Sequence, residues 1–127
     1  MTHADELLHH VRIAAGAADD KKAAETLIID VGDVFSVSDY FVITSGSNPR
    51  QVAAIVDAVE EEIKNVGGPG PVRVEGLEDR EWVLVDYGAF VVHVFNQEQR
   101  DFYQLERLWS DRPRIDWEPF TPRPESA

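Results

Sequence analysis

Apolar and polar positions change period several times along the chain, and each change marks an element. Leu7, Leu8, Val11, Ala14, Ala15 and Ala18, with Ile13 less regularly, recur at three- and four-residue spacing, one face of a helix. Thr2 is placed to cap it, with Asp5 in the capping-box position, and Gly16 is expected to interrupt it. Residues 26–31 form a nearly continuous apolar run, which predicts a buried strand, and residues 40–44 predict the next. The segment between them is too short for a crossover helix, so the two strands are expected to be antiparallel neighbours. Residues 45–51 are a helix-start signal, with Asn48 as N-cap, Pro49 at the first helical position and Gln51 reaching back. Val52, Ile55, Val56, Val59, Ile63 and Val66 then make the best-defined apolar stripe, opposite Asp57, Glu60, Glu61, Glu62 and Lys64. Gly67-Gly68-Pro69-Gly70-Pro71 stops that helix, and residues 72–76 predict a short strand near a sheet edge.

The remaining elements are organised around residues 81–109. A strand, a tight turn at Tyr87-Gly88 and a second strand make a hairpin, with Gly88 supplying positive φ. Such a turn pairs Asp86 with Ala89, Leu84 with Val91 and Trp82 with His93. Side chains alternate along a strand, so the two faces can be read off. One face carries Val83, Val85, Phe90, Val92 and Val94 and suits a core. The other carries Trp82, Leu84, Asp86, Ala89, Val91, His93 and Phe95, mixing aromatics with an acid and an imidazole. Two readings of this second face are open: it binds another protein, or a helix of the same chain covers it. After it, Asn96 is placed to cap a last helix with Gln99 in the capping-box position. Phe102, Leu105, Leu108 and Trp109 follow the helical period, with Tyr103, Glu106 and Arg107 to the side. Beyond Ser110, Pro113, Pro119, Pro122 and Pro124 are expected to prevent regular structure. Trp117 and Phe120 are placed to dock locally, and disorder is expected from about Thr121.

Composition narrows the partners. A length of 127 residues is one domain's worth, and the absence of cysteine excludes disulfides and thiol chemistry. No apolar run is long enough to span a bilayer, and His3, Asp5, Glu6, His9 and His10 stand where a signal peptide needs basic and apolar residues. A cytoplasmic protein with no membrane contact is expected. The net charge of −12 leaves no basic stripe for nucleic acid, so no direct DNA contact is expected. It favours a basic protein surface, unless it serves solubility alone.

Candidate chemistry is sparse. Ser45-Gly46-Ser47 before a helix can cradle an anion, but no Walker lysine or hydrolase elbow follows, and a helix cap explains it. The spacing of His3, His9 and His10 does not set two imidazoles one turn apart, and solvated helix surface is the favoured reading. Asp86 and His93 share a face without a serine or second acid to complete a triad. Asp30, Asp33 and Asp39 read as turn residues rather than metal ligands. No catalytic residue, cofactor or metal is expected.

Several runs, taken in order, resemble the ribosomal silencing factor (RsfS, or Iojap) family. They are residues 39–46, Gln51 with residues 54–57, Glu75-Gly76, residues 82–88, residues 91–95, and Arg100 followed by Phe102-Tyr103, Leu105-Glu106 and Leu108-Trp109. The resemblance covers about residues 3–111. It implies a domain over residues 1–111 and a proline-rich, partly disordered tail over 112–127. It also implies an α/β, nucleotidyltransferase-like fold, a mixed sheet of about five strands packed by helices. Members of the family bind the large ribosomal subunit at its ribosomal protein number fourteen. There they block joining of the small subunit and lower translation when nutrients are scarce; they are also seen as homodimers. On that resemblance Trp82, Tyr87, Phe95, Tyr103 and Trp109 are expected as anchors for the partner, with His93 beside them. Asp86 and Glu106 are expected to pair with its Lys or Arg side chains. The alternative is a metal-dependent nucleotidyltransferase-like enzyme using Gly46-Ser47. The Asp-x-Asp pair such enzymes need is missing, because Val59 follows two residues after Asp57.

Overall fold

The structure, a computed structural model, describes residues 3–32 and 37–117. In chain order these form α1 (His3–Asp20), β1 (Ala24–Asp30), β2 (Tyr40–Gly46), α2 (Pro49–Asn65), β3 (Arg73–Glu75), β4 (Trp82–Asp86), β5 (Phe90–Asn96), α3 (Gln97–Tyr103), α4 (Leu105–Leu108) and β6 (Arg114–Ile115). The strands make one six-stranded sheet in the order β3-β4-β5-β2-β1-β6. β2 and β5 run parallel, with Tyr40 beside Phe90 through to Gly46 beside Asn96, and every other pair is antiparallel. The expected mixed α/β sheet is present, with one strand more than anticipated.

That extra strand is β6, where prolines were expected to forbid pairing. Proline lacks only the donor: the Pro113 carbonyl still accepts the Asp30 N–H at 3.0 Å, and Ile115 and Arg114 then pair with Ile28 and Ile29. Trp117 docks as expected, its indole N–H donating to the Thr26 carbonyl at 3.0 Å. Phe120, the segment from Thr121 and the cap residue Thr2 lie outside the described residues.

Helix α1 runs straight through Gly16, contrary to expectation. A mid-helix glycine costs about 1 kcal/mol relative to alanine, and burial of Val11, Ile13, Ala14, Ala15, Ala17 and Ala18 outweighs that. The helix ends with Lys22 in the left-handed region (φ 64°). There the Ala23 N–H donates to Ala18 O at 3.2 Å and the Lys22 N–H to Asp19 O at 2.9 Å, the double bond of a Schellman end. α2 begins as its sequence predicts. The Asn48 side chain accepts the Gln51 N–H at 2.8 Å. Gln51 Oε1 in turn accepts the Ser47 N–H at 2.7 Å, and the Gln51 amide donates to the Lys21 and Lys22 carbonyls, both at 3.0 Å. One glutamine therefore ties the end of α1 to the start of α2. Val66, placed in the α2 stripe by spacing, is instead its exposed C-cap.

The hairpin register differs from the expected one. Trp82 pairs with Phe95, Leu84 with His93 and Asp86 with Val91. The Tyr87 N–H donates to Phe90 O at 2.9 Å, so the turn lies at Gly88-Ala89. Asp86 Oδ1 accepts the Gly88 N–H at 2.8 Å, and Gly88 takes φ 84°, which sets the turn one residue later. The partner of each residue moves by two positions, an even shift, so every side chain keeps its face.

Each face has its own core. Under α1 and α2, Ile28, Val42, Val83, Val85, Phe90, Val92 and Val94 pack against Ile55, Val59 and Ile63. On the other side Ile29, Val31, Phe41, Ile43, Val91 and Phe95 form a second cluster, with Trp82, Leu84, Leu105 and Trp109 packed on it. Helices of the same chain therefore cover much of the second face.

Candidate partner-docking face

The second face is built outward from β4 and β5. Trp82 stands across from Phe95, and their rings stack with centroids 4.7 Å apart and planes 28° apart. The Trp82 indole N–H donates to His93 Nδ1 at 3.1 Å. Burial pushes the His93 pKa down to about 4, against an upward pull from the Asp86 carboxylate. His93 is thus neutral near pH 7. With Nδ1 accepting, its proton sits on Nε2, which is buried without a partner among the described residues. Asp86 is occupied at the far end of β4, with Oδ1 on the Gly88 N–H and Oδ2 3.4 Å from Arg73 Nε. Leu84, not the expected Trp82, stands opposite His93.

The expected single last helix is two. Gln104 adopts φ 50°, breaking the helix between α3 and α4, and its N–H still donates to Arg100 O at 2.8 Å. Asn96 makes no side-chain cap; its own N–H donates to Glu81 O at 2.8 Å. Gln99, expected to complete a capping box, has its Oε1 buried with no partner among the described residues. The break turns Leu105 and Trp109 down onto the sheet, Trp109 meeting Phe41 edge-on at 5.5 Å. Three large apolar side chains remain outside: Phe102 is 79% exposed, Tyr103 52% and Leu108 74%. Tyr103 lies against Trp82 with ring centroids 5.1 Å apart, and Phe102 stands edge-on to Tyr103 at 5.0 Å.

These positions sort the eight residues named as partner contacts. Tyr103 belongs to the outer surface; Trp82, Glu106 and Trp109 are half-buried, Trp82 against Tyr103, and half-buried Asp86 lies at the other end of β4. His93 and Phe95 are buried and support the surface from below. Tyr87 lies on the other face altogether. It is 7% exposed in the first core and stacks on Phe90 at 4.7 Å, and burial, with Glu60 nearby, pushes its pKa up to about 12. The reason is alternation: with the turn one residue later, Tyr87 continues β4 and follows Val83 and Val85 inward. Phe102, at the apolar spacing of a core residue, is the most exposed large hydrophobic among the described residues. Spacing alone missed it because the break at Gln104 ends the helical period.

The other candidate chemistry resolves into structure. The Ser47 N–H is held by Gln51 rather than open to an anion, and Ser45 is buried against Gln97 Oε1 at 2.8 Å. Asp30 accepts the Gly32 N–H at 3.1 Å, an ordinary turn, and Asp33 lies outside the described residues. Among the described residues no group of three or more His, Asp or Glu is placed to hold a metal ion, and no helix is long and apolar enough to cross a membrane.

The class so defined is an α/β domain with one sheet face closed by two long helices and the other partly covered by two short ones. The family model described as "Ribosomal silencing factor during starvation" matches residues 4–127. The chain is 41% identical over 106 residues to ribosomal silencing factor RsfS of Bacillus subtilis, covering 84% of this chain and 89% of that protein. It is 33% identical over 94 residues to mouse "Mitochondrial assembly of ribosomal large subunit protein 1", covering 72% of this chain and 41% of that one. A crystal structure of a protein from Chromobacterium violaceum superposes with a TM-score of 0.77 at 34% identity, over 81% of this chain and 85% of that one. The chain belongs to the ribosomal silencing factor family, RsfS.

Proposed function

We propose that this protein binds the large ribosomal subunit through its ribosomal protein number fourteen, covers the surface on which the small subunit docks, and so represses translation when nutrients are limiting. The observation that carries this reading is the exposed ledge of α3 and α4: Phe102 against Tyr103, Tyr103 against Trp82, and exposed Leu108 on the adjoining α4. Removing large apolar side chains from water is favourable, so exposed ones favour a partner that covers them, and aromatic anchors dominate protein interfaces. The net charge of −12 supplies the complement to a basic ribosomal protein and speeds encounter with it. The mouse relative's name, which speaks of large-subunit assembly, points to the same particle. Repression of this kind needs occupancy and no bond making, so the protein acts without catalysis. Away from the ribosome it is a cytoplasmic homodimer.

Co-sedimentation with separated ribosomal subunits at low and moderate salt tests the reading. The protein is expected to pellet with large subunits alone and to lower the yield of joined particles when small subunits are added. Failure to bind large subunits at low salt overturns it.

A further inference from the structure

Arg100 is 2% exposed, yet it sits on the short helix that carries the docking ledge. Its guanidinium reaches four acceptors. Nη1 donates to Ala24 O at 2.9 Å and to Ser45 Oγ at 3.1 Å, Nη2 to Glu25 O at 2.7 Å, and Nε to Glu106 Oε2 at 3.3 Å. Ala24 and Glu25 open β1 where its register with β2 shifts, and Glu25 holds φ 50°, a conformation costly for a residue with a side chain. Ser45 lies near the end of β2, and Glu106 lies on α4, beyond the break at Gln104. One planar fork therefore joins the start of β1, the end of β2, α3 and α4.

Among the described residues Glu106 supplies the only carboxylate in the hydrogen bonds of that guanidinium, and the ion pair bridges the break between the helices. Phe102 and Tyr103 stand on one side of the break and Leu108 on the other. We propose that Arg100 and Glu106 are positioning residues of the docking face, and that Glu106 acts by fixing α4 against α3 rather than by meeting a cation of the partner. The inference rests on the docking reading above. With the latch closed, the ledge has one geometry before the partner arrives; with it open, α4 must be ordered during binding, which costs affinity. Removing the Glu106 charge leaves a buried guanidinium without its anion among the described residues, so the latch opens at α4, where Glu106 joined it.

The test compares wild type, Glu106→Gln, Arg100→Lys and the double variant. Two quantities are measured: the dissociation constant for isolated large subunits across a salt series, and amide exchange of residues 105–109 in the protein alone. A latch predicts about tenfold weaker binding for each single variant and no further loss in the double variant. It also predicts a wild-type salt slope and faster exchange over 105–109 in each. A direct contact predicts the opposite pattern. Glu106→Gln would then lower the salt dependence with exchange unchanged, and Arg100→Lys would bind at least as tightly as wild type; that result overturns the proposal. Exchange over 105–109 that stays at the wild-type rate in Glu106→Gln overturns it on its own, even if Arg100→Lys does not fold. If wild type does not bind large subunits, the functional reading fails, and the exchange rates still decide whether the latch exists.

Discussion

Under α1 and α2, the sheet presents Val83, Val85, Val92 and Val94, all fully buried, to two long helices whose inner faces are equally apolar. Across the same two strands, the other side presents Trp82, Leu84, Asp86 and His93, covered in part by α3 and α4, of seven and four residues. The first side is held by close packing of aliphatic groups and needs no directional bonds. The second adds directional contacts to its own apolar cluster of Ile29, Val31, Phe41, Ile43, Val91 and Phe95: the Trp82–His93 hydrogen bond, the Trp82–Phe95 stack and the Arg100 fork. Isolated helices this short are unstable in water, so α3 and α4 depend on those contacts for their place. This second side is held from beneath, while Phe102, Tyr103 and Leu108 stay exposed on its short helices.

Changes on the closed side should cost the most stability. Phe90→Ala, in the first core, is expected to destabilise by about 3–5 kcal/mol in chemical denaturation, because it leaves a cavity and removes the stack on Tyr87. Acidification should attack the open side next. His93 has its pKa lowered from 6.5 to about 4 in the folded protein. The unfolded chain binds the extra proton first, so the stability contributed by neutral His93 is complete above about pH 6.5 and is lost as pH falls toward 4. The loss is on the order of 3 kcal/mol across that window. His93→Gln, followed by denaturation at several pH values, should flatten this dependence; an unchanged slope would mean that another group carries it. Asn48→Ala, which removes the cap of α2, is expected to cost about 1 kcal/mol in the same assay. Phe102→Ala, on the ledge, should change stability by less than about 0.5 kcal/mol and act on binding alone.

The closed side was legible because its rules are local. Period-two alternation separated Val83, Val85, Phe90, Val92 and Val94 from their neighbours. The even shift in register left that separation intact although the turn moved to Gly88-Ala89. Asn48, Pro49 and Gln51 announced α2 within four residues. What escaped depends on distant contacts. Arg100 acts on Ala24 and Glu25, 76 and 75 residues away, and no spacing near Arg100 encodes that. β6 forms because β1 offers an edge, and Tyr87 turned inward because Asp86 drew the turn one residue onward. Of the site, Trp82 was readable as a large aromatic on a mixed face, and Tyr103 as an aromatic to the side of the last helix's apolar stripe. The exposure of Phe102 and Leu108 was not, because the break at Gln104 has no glycine or proline to mark it.

The most direct test is co-sedimentation of the Phe102→Ala, Leu108→Ser double variant with isolated large ribosomal subunits, next to wild type, after both have been shown to unfold at the same temperature. The account predicts that the variant keeps the wild-type midpoint and stays in the supernatant while wild type pellets with the subunits. A variant that pellets as wild type does would contradict it, and would move the docking surface away from α3 and α4.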